Sequence, residues 1–418
     1  MPITEAMPPQ NIKAAAHLQR DVPPEGDNMQ APKNRPQRLN QHFRPLAIAL
    51  IGAGAFAAHA QTAAPSSSVN LYGLIDVGVE HVSKVNGVGG ITRMPSNTSS
   101  LPSRVGFRGT EDLGDGLKAQ FVLEMGFAPD TGASGQGGRL FGRQANVGLA
   151  GSWGSVTLGR QYSTLFWSIQ DSDVIGPAVY AIGSLDSYIP NSRADNSIGY
   201  RGTFSGFTLG AEYSLGRDTV SASPVPNPSG TNCAGESGTD KQACRQWSAT
   251  AKYDTPNWGA VLTYDTLNGR TPTGPTDVVF GGLNSSSTSD SRTLVAGYFK
   301  VAGAKIGGGV IRRDNEGSLT RPRSKLWYLG ASYPLTPQLT LDGQWASLRY
   351  SNANDVNSTL LAARLVYSLS KRTAVYGQVG HISNDRLVNV SVSGGAAGSN
   401  PALGSSQNGI NFGVRHAF

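Results

Sequence analysis

From residue 70 onward, apolar and polar positions alternate with a period of two, in runs of about 9–12 residues. In 117–127 one face holds Leu117, Ala119, Phe121, Leu123, Met125 and Phe127. The other holds Lys118, Gln120, Val122, Glu124 and Gly126. In 207–215, Phe207, Leu209, Ala211, Tyr213 and Leu215 alternate with Thr208, Gly210, Glu212 and Ser214. In 247–254, Trp247, Ala249, Ala251 and Tyr253 alternate with Ser248, Thr250, Lys252 and Asp254. Successive side chains of a strand point to opposite faces, so each run is a strand with one apolar and one polar face.

The runs predict strands at 70–82, 103–113, 117–127, 139–151, 155–163, 195–204, 207–216 and 247–255. They continue at 258–267, 292–302, 304–314, 325–335, 338–350, 359–370, 373–383 and 408–418, sixteen in all. In 293–301 and 373–382 the phase can be set either way. Very short turns and long polar loops join the strands in alternation, and the exception in texture is 164–194, a long connection with no strand alternation.

Which face points inward decides the class. A sandwich of two sheets buries its apolar faces and ends its strands after about 5–6 residues. Here the strands are longer and even in number, the polar faces carry Lys, Arg, Asp and Glu, and Tyr or Trp mark strand ends. That is the pattern of an all-β, antiparallel transmembrane barrel, apolar face to lipid and polar face to a water-filled lumen. Backbone groups in lipid must all be paired, so the sheet must close. The segment GINFGVRHAF (409–418) keeps its alternation to Phe418, as a closing strand paired with the first would.

Composition agrees. Of 418 residues, 53 are Gly and only 15% are charged. No apolar run reaches the roughly 18–20 residues of a membrane helix. The continuous apolar stretch PLAIALIGAGAFAAHA (45–60) follows Lys33, Arg35, Arg38 and Arg44 and ends in Ala58-His59-Ala60. This is the layout of a secretory signal peptide cleaved after Ala60. The expected division is therefore an N-terminal extension plus signal peptide, 1–60, and a barrel, 61–418, with Met29 an alternative start. Loss of the six basic and four acidic residues of 1–60 leaves a mild mature charge of +5. The basic residues are scattered, which points away from nucleic acid. Cys233 and Cys244 lie in a Gly/Ser/Pro-rich stretch of an exported chain, and a local disulfide is expected. Two thiols are too few for a structural zinc site. Hydrolase, metalloprotease and phosphate-loop motifs are absent from the sequence, so neither enzyme activity nor a cofactor is expected.

The stretches SRVGFRGTEDLGDGLKAQFVLEMGF (103–127), NLYGLIDVGVE (70–80), GSVTLGRQY (154–162), DNSIGYRG (195–202) and GVRHAF resemble Gram-negative general porins, notably the trimeric β-proteobacterial type. The resemblance covers essentially all of 69–418. It implies a sixteen-stranded barrel in the outer membrane, a homotrimer among outer-membrane lipid and lipopolysaccharide, with the third extracellular loop folded into the pore. It also implies that Phe418, with His416, belongs to a signal read by the insertion machinery. A Pro-Glu-Phe-Gly motif found on the third loop of some members is missing here.

A pore's selectivity is set by its width and by charge at its narrowest point. The connection 164–194 is the expected constriction loop, with acids Asp171, Asp173 and Asp186. Opposing arginines follow from parity. Val105 and Phe107 face lipid, so Arg104 and Arg108 face the lumen with Lys118 and Glu124 of the next strand; Ile198 and Tyr200 face lipid, so Arg201 faces inward. Parity from Val147 and Leu149 would turn Arg143 outward, so it needs a bulge or an interfacial, snorkelling position, whereas the resemblance favours a basic residue in the constriction there. Small hydrophilic solutes and ions are the expected cargo. The arginines favour mild anion preference and the three loop acids oppose it. A substrate-specific channel with an aromatic slide, or a pore-less adhesin, are the alternatives.

Overall fold

Alternating faces in runs this long leave every strand with two edges to satisfy, and the chain satisfies them by going round. The computed structural model describes residues 67–217, 233, 235–272 and 282–418. The signal-type segment and its junction at Ala60 lie outside the described residues. The strands are β1 (Ser68–Val85), β2 (Gly89–Arg93), β3 (Arg104–Gly114), β4 (Leu117–Gly126), β5 (Gln144–Gly151), β6 (Gly154–Tyr162), β7 (Arg193–Phe204) and β8 (Phe207–Ser214). They continue as β9 (Gln246–Asp254), β10 (Trp258–Asn268), β11 (Ser289–Val301), β12 (Ala304–Asn315), β13 (Arg323–Pro334), β14 (Leu339–Tyr350), β15 (Ser358–Ser368), β16 (Thr373–Asn384) and β17 (Gln407–Ala417).

Each barrel strand pairs antiparallel with its neighbours, and β17 pairs with β1 from Leu74↔Ala417 to Val82↔Gly409, which closes the sheet. The lower half of β1 pairs with β3. Its upper half pairs with β2, a short strand within what the alternation predicts as loop. Sixteen strands thus form the barrel. Phe418 extends the seam: its N–H donates to the Gly73 carbonyl at 3.1 Å and its carbonyl accepts from Gly73 N–H at 3.0 Å. The ring packs where Gly73 lacks a side chain; a Cβ there would fall 2.3 Å from Phe418 Cζ. His416 bonds Thr373 Oγ1 through Nδ1 at 2.9 Å.

The outward face carries the apolar positions. Leu329 and Phe412 are 57% and 60% exposed, as are Leu71, Phe107, Leu262 and Val295 to similar degrees. A row of this kind would be costly in water and is favourable against lipid. Aromatic rings gather at the short-turn end, where Phe207 and Tyr253 lie 4.4 Å apart and Tyr253 and Trp258 5.6 Å apart. No described helix is long and apolar enough to cross a membrane. Cys233 and Cys244 are disulfide-bonded in the β8–β9 loop, the fourth long one, with Cα atoms 5.7 Å apart.

Candidate pore constriction

The connection from β6 to β7, residues 163–192, turns into the barrel. Its first turn is the helix Thr164–Ile169, held on β9 and β10 by hydroxyls. Ser168 Oγ lies 2.9 Å from Thr250 Oγ1 and accepts from Thr263 Oγ1 at 2.7 Å, and Thr164 N–H donates to Ser248 Oγ at 3.1 Å. The loop then follows the inner wall. Ser172 meets Tyr328 at 2.6 Å, and Arg364 donates to the Ile175 carbonyl at 2.9 Å while pairing with Asp342 at 2.8 Å. At the far side, Tyr180 seats on Gly380 and Gly409, where any Cβ would come within 2.7 Å of it. The first and last long loops meet it there: Val179 N–H donates to the Ser99 carbonyl, and Gly394 N–H to the Val179 carbonyl, both at 2.8 Å. The wall from β9 to β17 is therefore lined by loop.

The other part of the wall, from β1 and β3 to β9, borders a cavity of about 640 Å³ that includes Tyr72, Arg104, Arg108, Glu124, Arg201 and Lys252, with Trp167 of the loop helix facing them. Arginines dominate it. Arg143 Nε donates to Glu124 Oε1 at 2.7 Å, Arg104 Nε lies 3.7 Å from Glu124 Oε2, and Tyr72 Oη donates to Glu124 at 2.9 Å. Arg108 lies 5.1 Å from the Tyr72 ring. Arg160 and Arg139 both pair with Asp195, at 2.6 and 3.0 Å. Arg193 stacks 4.2 Å over the Tyr162 ring and donates to its hydroxyl at 2.7 Å. Arg201 sits 5.8 Å from the Trp167 ring. Seven arginines thus gather here, four of them paired with Glu124 or Asp195, and Glu212 is a further carboxylate of the cavity lining.

The three loop acids take other partners than the expected ones. Asp186 binds Arg292 through both oxygens, at 2.9 and 3.2 Å. Burial works against its ionisation, but Arg292 and then Arg313 hold its carboxyl below the ordinary value. Asp173 folds back to accept from Gly176 N–H at 3.1 Å, and its burial pushes its carboxyl up. Asp171 binds Lys252 at 2.5 Å with Lys305 at 3.9 Å, and remains 42% exposed. The opposition of Arg104, Arg108 and Arg201 to Asp173 or Asp186 is therefore not what the geometry presents. The loop spends Asp186 on Arg292 of β11, Asp171 on Lys252 of β9, and Asp173 on its own backbone.

Arg143 faces inward without a bulge in β5, because that strand starts at Gln144 and not at residue 139. Parity never applied to it. Glu124 is buried among the arginines, and Lys118 is exposed near the β3–β4 turn, opposite Asp112. Arg160 is hidden from parity by a slip in the ladder, and Arg193 by lying in the connection 164–194, outside the strand predicted at 195–204. The β6–β7 register shifts between Gly159 and Gln161, with Gly159 at φ +117° and Asn196 at φ +51°. A Cβ at Gly159 would lie 2.3 Å from the Ala145 carbonyl, so glycine is required for this bulge, which turns Arg160 inward. Gly159 before Arg160 was the available signal.

A closed antiparallel barrel with a lipid-facing apolar surface, a polar lumen and an infolded loop defines a porin-type channel. The Gram-negative porin family model matches residues 47–387. Outer membrane porin protein 32 of Delftia acidovorans is 31% identical over 84% of this chain and 94% of its own length. An outer membrane porin protein of Bordetella pertussis is 41% identical over 43% of this chain and half of its own length. The anion-selective porin from Comamonas acidovorans superposes with a TM-score of 0.68 at 26% identity, over 84% of this chain and all of that one. The chain belongs to the Gram-negative porin family and is an outer-membrane porin channel. Its relatives are channels rather than enzymes.

Proposed function

We propose a general diffusion pore with anion preference, in which Arg104, Arg108 and Arg201 meet the permeating ion and Arg143, Arg160 and Arg193 back them. The observation that carries this is the charge balance on the open half-lumen: seven arginines and Lys252 against Glu124, Asp195 and Glu212, with the loop acids Asp171 and Asp186 engaged by Lys252 and Arg292. Guanidinium groups keep their charge when crowded, so such a wall stays cationic. A narrow lumen limits screening, and anions are concentrated while cations are repelled. Asp171, half-exposed beside Lys252, is the loop carboxylate that tempers the preference. Anion selectivity in the Comamonas acidovorans porin supports the same sign.

The functional unit in this reading is a homotrimer inserted through its C-terminal strand, and the mature chain starts near Gln61. Planar bilayers test the channel reading. Ohmic openings in groups of three support it, saturable block by one solute would favour a specific channel, and silence would favour an adhesin. N-terminal sequencing of outer-membrane material that begins at Met1 would remove the signal peptide from the account.

A further inference from the structure

Beneath the first turn of the infolded loop lies a group of buried oxygens that neither the arginine wall nor the loop anchors satisfy. Glu212 of β8, Ser248 of β9 and Asp265 of β10 stand directly opposite one another in one inward-facing row. Glu212 is 5% exposed and Asp265 is fully buried. The Asp265 carboxylate accepts from the Tyr188 hydroxyl at 2.7 Å and from Gln246 Nε2 at 3.3 Å, both neutral donors. Glu212 has less: Ser248 Oγ donates to its Oε2 at 3.3 Å, and its Oε1 has no partner. Among the described residues neither carboxylate makes an ion pair. The cations nearby are engaged. Arg292, next in the row on β11, binds Asp186 and Asp290, and Lys252, lower on β9, binds Asp171 and Asp254.

Buried charges are as a rule paired or bound to metal, and buried polar atoms carry a hydrogen bond. Among the described side chains five buried oxygens have no partner, and four of them belong here: Glu212 Oε1, Gln246 Oε1, Thr164 Oγ1 and Ser163 Oγ. Gln246 holds the inward position of β9 next to Ser248, Thr164 N–H donates to Ser248 Oγ at 3.1 Å, and Ser163 is on the Asp265 side. The Glu212 and Gln246 oxygens are acceptors only. A water can satisfy them but leaves both carboxylates uncompensated, whereas a cation does both. Glu212 and Thr164 also border the lumen cavity, which gives an ion a way in.

We propose that this row holds a calcium ion: Glu212 supplies the carboxylate ligand, Thr164 and Gln246 supply neutral oxygens, and Asp265 supplies the second negative charge. A set made only of oxygens, one carboxylate among neutral groups, suits Ca²⁺; Mg²⁺ demands a near-ideal octahedron and keeps its waters. Thr164 opens the helix by which the connection leaves β6, so the ion staples that hinge to β8, β9 and β10. It also neutralises Glu212, a carboxylate set against the arginines of the open wall. Only this last consequence rests on the anion-preference reading.

The test uses the full-length barrel refolded in EDTA and titrated with Tb³⁺, whose emission Tyr188 sensitises from beside Asp265, with Ca²⁺ as competitor. Wild type should give a saturable signal that Ca²⁺ displaces at about 0.1–1 mM, the range of weak extracellular calcium sites. E212Q should bind Tb³⁺ at least roughly tenfold more weakly, since affinity follows ligand charge. D171N, which removes an exposed acid elsewhere on the loop, should bind as wild type does. E212Q should melt no lower than metal-free wild type, because it loses an unpaired buried charge, and Ca²⁺ should raise the melting temperature of wild type alone; this separates lost binding from lost fold. In bilayers Ca²⁺ should shift the reversal potential toward anions in wild type and leave E212Q where it was. A metal-free wild type that prefers cations would overturn the anion reading while the site stands. Equal Tb³⁺ affinity in wild type and E212Q overturns the proposal, as do equal Ca²⁺-induced shifts in the two. So does a wild type in which about 10 mM Ca²⁺ neither displaces Tb³⁺ nor raises the melting temperature, which would leave a site for water only.

Discussion

Across β3 to β7 the aqueous lumen meets Arg104, Arg108 and Arg201, while across β11 to β15 Arg292 and Arg364 are turned onto the infolded loop. Both regions are walls of the same barrel, built on the same inward parity and rich in the same residue types. On the first, arginines outnumber carboxylates. On the second, Arg292 is fully buried between Asp186 and Asp290, and Arg364 between Asp342 and the loop backbone. Arginine thus fastens the loop on one side and lines the open cavity on the other. What separates the two uses is whether the loop lies over the guanidinium.

The largest test of that division is to unfasten the loop. Removing one partner of a buried ion pair typically costs about 3–5 kcal/mol, because the other charge is left unpaired. Arg292→Ala should therefore release 182–192 from the wall while the strand ladder persists. Unit conductance should rise, the current should become noisy, and the loop should become protease-sensitive in a barrel that still migrates as folded. A quiet channel of unchanged conductance would mean that Asp186 is not an anchor.

A smaller effect is expected at the far seat. Gly409→Val puts a side chain into the Tyr180 ring and should shift the loop tip without unfolding the seam. The expected readout is a moderate change in conductance that Tyr180→Ala suppresses in the double variant; additive effects would contradict direct contact.

Acid should act through the same anchor. Asp186 has its carboxyl held below the ordinary value of 3.8, so its pairing contributes above that pH and is lost only as pH falls through the depressed value. Channels should stay quiet down to about pH 4 and grow noisy below it. The Asp186→Asn variant should be noisy at every pH. Onset near neutrality in the wild type would implicate a different group.

The least effect is expected from the loop acids as charges. Asp171→Asn leaves Lys252 paired with Asp254 alone and should move selectivity slightly toward anions, whereas Asp173→Asn, whose carboxyl is turned into its own loop, should change it little. A large shift from Asp173→Asn would place that residue in the permeation path.

Much of the barrel was legible because period-2 alternation is local: Phe207 to Leu215 reports its two faces whatever the rest of the chain does. The Arg104, Arg108 and Arg201 positions followed from the same arithmetic. It failed where strands depart from regular geometry. The bulge at Gly159 resets the count and hides Arg160, Arg193 lies just before the strand predicted at 195–204, and the late start of β5 hides the reason Arg143 turns inward. The partners of the loop acids were illegible for a different reason. Asp186 and Arg292 are 106 residues apart, and nothing periodic records where a loop without alternation comes to rest. The short β2 escaped because GGITR offers only one large apolar residue.

The central claim is that the open wall, and not the loop, sets ion preference. Reversal potential across a salt gradient in planar bilayers tests it, comparing wild type with R104Q/R201Q and with D171N. The account predicts an anion-side potential in wild type, a pronounced shift toward cations in R104Q/R201Q, and a slight shift the other way in D171N. A wild-type potential that R104Q/R201Q leaves where it was would contradict it.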